Sequence, residues 1–164
     1  MTLPDSFDPV ERGERARDFF LRGYNCCQAV LLAFSDILEA EGLASEALLK
    51  IVGSGFGGGF ARMREVCGSF SACTIMAGFI SPATTPGMEE RKTNYTLVQE
   101  LAAGFRERNG GSIVCAELLG LKERQPEGPA PSARTAEYYR KRPCPEIIRN
   151  AAVIAAEKMK EAAR

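Results

Sequence analysis

Histidine is absent from this 164-residue chain. That absence removes the Ser-His and Cys-His dyads, the histidine general base and the imidazole metal ligand. Net charge is absent too: lysine and arginine number 21, and so do aspartate and glutamate. Such a balance argues against a basic footprint for nucleic acid. No apolar run is long enough to span a bilayer. The polar, acidic start, Met1-Thr2-Leu3-Pro4-Asp5-Ser6, carries no basic-then-apolar leader. The chain is therefore expected in the cytoplasm, with no membrane partner, where thiols are kept reduced.

What the chain does have is sulfur: Cys26, Cys27, Cys67, Cys73, Cys115 and Cys144. An even cysteine count suggests disulfides in a small secreted protein, but this chain is read as neither small nor exported. Metal binding or redox chemistry is the better reading. The spacing itself is uninformative. There is no C-x-x-C, hence no thioredoxin motif, zinc ribbon or ferredoxin run, and no C-x-x-C-H for haem attachment. Taken singly, any of these cysteines reads as a small buried hydrophobe.

Strand signals are scarce and helical periodicity is common, so the expected fold is all-α, a compact multi-helix bundle. With 45% hydrophobic residues and no internal repeat, residues 1–164 read as one domain with its own core. A polar first helix is expected over 9–22, ended by Gly23. Asn25 caps the next, with Gln28 completing a capping box and Leu31, Phe34 and Leu38 on one continuous face. A short helix follows Ser45. The stretch from Gly53 to Gly59 is too rich in glycine for any regular element. An apolar helix is expected from Cys67 to Ile80, and a long amphipathic one over 89–108 with Tyr95, Val98, Leu101, Ala102 and Phe105 as its stripe. Ser112 reads as the cap of a short helix to Leu119, Lys122 to Ala133 as an exposed loop with no hint of a site, and Pro143-Cys144-Pro145 as the start of the last helix.

On these helices four sulfurs fall into a pattern. Cys26, Cys67, Cys115 and Cys144 each lie in or beside a first turn. Unpaired N–H groups there favour anions, so a lowered thiol pKa and better metal ligation are expected. Four such ends, if they converge, make a cradle for an anionic iron–sulfur cluster. Gly53, Gly55 and Gly58 spell G-x-G-x-x-G, but the residues before them read as helix, which excludes the dinucleotide turn. The same loop reads either as tight packing or as bare backbone that approaches a cofactor. Arg62, Arg64, Arg140, Lys141 and Arg142 flank two of the cysteines and offer counter-charge or a dock for an acidic partner. Tyr138 and Tyr139 are candidates to cover the site.

Gly23 to Val30, Gly57 to Gly59, Cys67 to Ala72, Cys115 to Leu119 and Cys144-Pro145 occur in an order that resembles a known family. It is the redox-active family named for four cysteines and a CGAxxG motif, with related sequence in split-Soret cytochromes. The resemblance runs from about residue 16 to 155. It implies a bound redox group, an iron–sulfur cluster first, and carries the four cysteines onto Cys26, Cys67, Cys115 and Cys144. Ser69 and Ala72 stand where the motif has its other small residues. Cys27 and Cys73 are extra to it.

The expectation is thus a redox-active electron carrier or accessory protein with a redox partner protein; a homodimer is compatible with the sequence, though no residue pattern demonstrates it. Its metal ligands would be Cys26, Cys67, Cys115 and Cys144, with Gly57, Gly58, Gly59, Gly68 and Ser69 lining the cofactor; no catalytic residue is identified. Two alternatives stay open: a metal-free thiol–disulfide protein using Cys67 with Cys73 or Cys26 with Cys144, and a structural zinc module.

Overall fold

The computed structural model describes residues 1–123 and 127–163. Among them the chain forms nine α-helices and no strand. Helix α1 (Pro9–Leu21) starts where the Asp8 carboxylate accepts from the amides of Val10 and Glu11, with Pro9 at its first position. It turns Ala16 and Phe20 into the core.

Helix α2 (Cys26–Leu32) begins with the expected capping box: the Gln28 amide donates to Asn25 Oδ1 at 2.9 Å, and Asn25 N–H to Gln28 Oε1 at 3.2 Å. The continuous face expected through Leu38 is interrupted. The chain breaks at Ala33 and Phe34 before resuming as α3 (Ser35–Ala40). Arg12 supplies the reason. Its buried guanidinium donates to the Ala33 carbonyl at 2.9 Å and to Asp36 at 2.6 Å, while Ser35 Oγ donates to Leu32 O at 3.0 Å. Carbonyls that would continue the ladder are taken by side chains.

Helix α4 (Glu46–Gly53) is capped by Ser45, and a single 3-10 turn, Ser54–Phe56, follows. Helix α5 (Gly68–Ile80) is apolar on nearly every face and runs through the centre, touching α2, α9 and α6. In α6 (Met88–Arg108), Leu101, Ala102 and Phe105 are buried, but Tyr95 is 58% exposed. The first half of that helix extends beyond the core, so the expected stripe is used only in its second half.

Helix α7 (Cys115–Leu118) starts later than expected. Val114 is extended and pairs with Val66 in an isolated antiparallel bridge, and the Ser112 hydroxyl accepts from Val114 N–H instead of capping a helix. Helix α8 (Ala136–Lys141), capped by Thr135, was not anticipated. Helix α9 (Cys144–Ala162) lies along α1 and against α5 and α6. Of the expected 122–133 loop, residues 124–126 lie outside the described residues. No helix among the described residues is long and apolar enough to cross a membrane.

Candidate functional site

Four helix starts surround one cavity of about 300 Å³, and each contributes a cysteine to its lining. Cys26 is the first residue of α2, Cys67 the cap of α5, Cys115 the first residue of α7 and Cys144 the first of α9. Two ties hold the Cys67 and Cys115 segments in register. Cys67 N–H donates to Ile113 O at 2.8 Å, and Cys115 N–H to Glu65 O at 2.7 Å. All six cysteines are free thiols.

Close approach is what the glycines permit. A Cβ on Gly68 would stand 2.6 Å from Phe56 O and 2.8 Å from Cys26 Sγ. One on Gly59, whose φ is +69°, would meet Cys115 Cβ at 2.7 Å. These two glycines therefore seat the cysteine-bearing elements against each other, and neither lines the cavity. Gly57, Gly58 and Ser69 do line it.

After Gly57 the backbone turns left-handed for five consecutive residues: Gly58, Gly59, Phe60, Ala61 and Arg62 all have φ between +48° and +69°. Each non-glycine there costs about 1–2 kcal/mol. Hydrogen bonds back to the glycine loop, from Ala61 N to Gly55 O at 2.9 Å and from Arg62 N to Gly57 O and Arg64 N to Gly58 O at 3.1 Å each, hold the turn. Its effect is to deliver Arg62 and Arg64 to the cavity wall. Arg64, 2% exposed, pairs with Glu127 Oε1 at 2.6 Å and directs Nη1 toward Cys115 Sγ at 3.8 Å. Arg62 pairs with the other Glu127 oxygen and donates to Gly128 O at 2.8 Å and Ser132 Oγ at 3.2 Å.

The loop that read as featureless is thus fastened across the cavity, where Pro129, Pro131, Ser132 and Arg134 join the lining. Sequence reading missed these residues because 65 positions separate Arg62 from its partner Glu127, and no spacing signal spans that gap. Arg134 lies over Phe20 at 4.5 Å and Tyr138 at 4.9 Å; Arg142 lies over Tyr138 at 4.6 Å. Tyr138 lines the cavity, whereas Tyr139 donates its hydroxyl to Phe20 O and Leu21 O, fastening α8 to α1. Arg140 and Lys141 are exposed, and Lys141 pairs with Glu137.

The expected lowering of the thiol pKa values does not hold for Cys67, Cys115 and Cys144. Burial raises all three, and the neighbouring Cys26 raises each further. Cys144 is pushed up to about 12 although Arg142 and Arg134 oppose the shift. At Cys115 the hydrogen bond and charge of Arg64 offset burial only in part. Desolvation outweighs the helix ends at all three, even though Cys67 and Cys144 open the long helices α5 and α9. Burial of this kind favours the protonated thiol.

Cys27 and Cys73 stand apart. Both are wholly buried in the core, and Cys73 donates to Ala151 O at 3.4 Å. Burial raises both, Cys73 to about 12. The first G-x-G-x-x-G glycine, Gly53, ends helix α4 and the others follow it, so a helix and not a strand precedes this turn. Among the described residues no three cysteine or carboxylate side chains close to the spacing of a single metal ion. Among the described residues, Arg134 Nη1 is buried in the lining without a partner, and Ser69, 1% exposed, sets its Oγ toward Cys67 only.

In comparisons with known proteins, residues 24–158 match the family model described as "Putative redox-active protein (C_GCAxxG_C_C)". No curated protein matches the chain, and no solved structure does.

Proposed function

The chain belongs to the C_GCAxxG_C_C family of redox-active proteins, and from that premise we propose that it is a cytoplasmic electron carrier or redox accessory protein. Its cofactor is an iron–sulfur cluster held by the thiolates of Cys26, Cys67, Cys115 and Cys144. The observation that carries this reading is the meeting of all four sulfur-bearing residues, from four separate helix starts, on one cavity wall. Such a cluster supplies one-electron storage when bound. Everything else falls to the chain: Arg64 presents a fixed positive charge beside Cys115, and the Ser69 side chain stabilises negative charge on Cys67. Burial keeps water from Cys67 and Cys115, while Cys26 and Cys144 are only half-buried, and electrons pass to a partner protein.

A cluster spans sulfurs set farther apart than one Zn²⁺ can bridge. One Zn²⁺ requires its sulfurs within about 2.3 Å of a single point, and the described side chains do not gather that closely. Cys73 donates into the core instead of lining the cavity, which disfavours a Cys67–Cys73 disulfide; Cys26 and Cys144 share the cavity and are the pair to watch.

Anaerobic purification followed by a visible spectrum and iron, sulfide and zinc analysis tests the proposal. Stoichiometric iron and sulfide with a band that bleaches on reduction is the expected result. Zinc alone would convert the site into a structural one. A colourless, metal-free protein after attempted reconstitution would refute the cluster and leave thiol–disulfide exchange.

A further inference from the structure

The cavity offers more than sulfur. Along one part of its wall the Arg134 guanidinium carbon lies 4.5 Å from the Phe20 ring centroid and 4.9 Å from that of Tyr138, and that of Arg142 lies 4.6 Å from the same tyrosine. A cation–π contact stabilises the charge of a guanidinium and leaves its N–H donors to find acceptors of their own. Neither arginine forms an ion pair among the described residues, unlike Arg62 and Arg64, which share Glu127. The Nη1 atom of Arg134 is shut off from solvent and has no acceptor. Ser69, 1% exposed and lining the same cavity, turns its Oγ to Cys67 and so belongs to the sulfur side. A buried donor left unmade is costly, and a charged one more so. An unmet charged donor beside an open cavity points to a ligand that satisfies it.

The walls define its character. Phe20, Leu118, Leu119, Tyr138 and Ile147 are apolar, so a fully hydrated ion would waste most of the lining. An in-plane guanidinium edge matches the two oxygens of a carboxylate. We propose that the arginine side of this cavity binds a small carboxylate with an apolar body. The proposal takes the same cavity as the redox reading but does not depend on the cluster. It makes the protein a receptor for a small organic acid next to its redox centre, not a bare electron relay.

Calorimetric titration of the full-length protein with benzoate tests it, with benzyl alcohol and inorganic phosphate as comparators. Wild type is expected to bind one benzoate saturably. Benzyl alcohol and phosphate should each bind at least about tenfold more weakly, the value of one lost charge-assisted contact. Arg134→Gln should weaken benzoate by a similar factor, Arg134→Lys by less, and Arg91→Gln, on exposed α6, not at all. Should Arg134→Gln fail to fold by circular dichroism, Arg142→Lys serves in its place, with weaker benzoate binding expected.

Absence of saturable benzoate binding up to about 10 mM, beyond the weak end of specific affinity, overturns the proposal. Equal affinity in the arginine variants does so too, as does phosphate binding as tightly as benzoate. Loss of iron in Arg134→Gln without any benzoate binding to wild type would reassign the arginines to cluster charge, again overturning it. Iron and sulfide are assayed on the same samples. Benzoate binding to iron-free protein therefore leaves this proposal standing while the cluster fails, and an iron-loaded protein indifferent to benzoate does the reverse.

Discussion

Arg64 sets its Nη1 3.8 Å from the sulfur of Cys115, and the rest of that guanidinium edge is occupied by Glu127. A cation 2% exposed is tolerable only while such partners remain. Glu127→Gln is therefore expected to cost about 1–3 kcal/mol, the penalty for an under-satisfied buried charged group. The midpoint of urea unfolding measures it, and an unchanged midpoint would show that the pair contributes nothing.

Gly68→Ala forces a methyl to 2.6 Å from Phe56 O and 2.8 Å from Cys26 Sγ. Backbone on one side and a sulfur on the other leave it nowhere to go, so a loss of about 1–3 kcal/mol is expected. Metal content should fall with it, because Cys26 has to move. Gly78, exposed on the same helix with nothing within 4 Å, is the control. Gly78→Ala should raise stability by about 0.5–1 kcal/mol and leave metal content alone.

The two classes of cysteine predict opposite outcomes. Cys115→Ser should abolish the visible absorption of anaerobically purified protein, since Cys115 lines the cavity. Cys73→Ser should retain it, because Cys73 lies in the core and serine keeps the donor to Ala151 O. Full iron content in Cys115→Ser would remove that residue from the ligand set.

Asp36 provides the test by pH. Burial would raise its carboxyl, but the hydrogen bonds and charges of Arg12 and Arg15 more than offset this and hold it below the usual range. A folded-state pKa below the unfolded one means that the contribution is complete above pH ~4, the unfolded value. It is lost as the pH falls through the lowered folded value. The stability advantage of wild type over Asp36→Asn should thus be constant near neutrality and shrink below pH ~4. An advantage that persists unchanged under acid would deny the linkage.

How far the site was legible follows from these contacts. The capping box at Asn25 and Gln28 and the apolar run of α5 act within a few residues, so local chemistry revealed them. The break at Phe34 was hidden because its cause, Arg12, comes from another helix. Thiol acidity was read with the wrong sign, since helix ends show in a sequence and burial does not. The left-handed turn through Phe60, Ala61 and Arg62 had no sequence signal at all: these residue types disfavour it, and long-range bonds impose it.

Sequence alone determined the absence of imidazole chemistry, the helical class and the four cysteines at helix starts, because each is written in residue type or short-range periodicity. Only the tertiary structure decided that those starts share one cavity and that Glu127 neutralises Arg62 and Arg64, while Arg134 and Arg142 form no ion pair among the described residues. Proximity between residues dozens of positions apart, and the desolvation that comes with it, is a property of the packed chain and not of any segment of it.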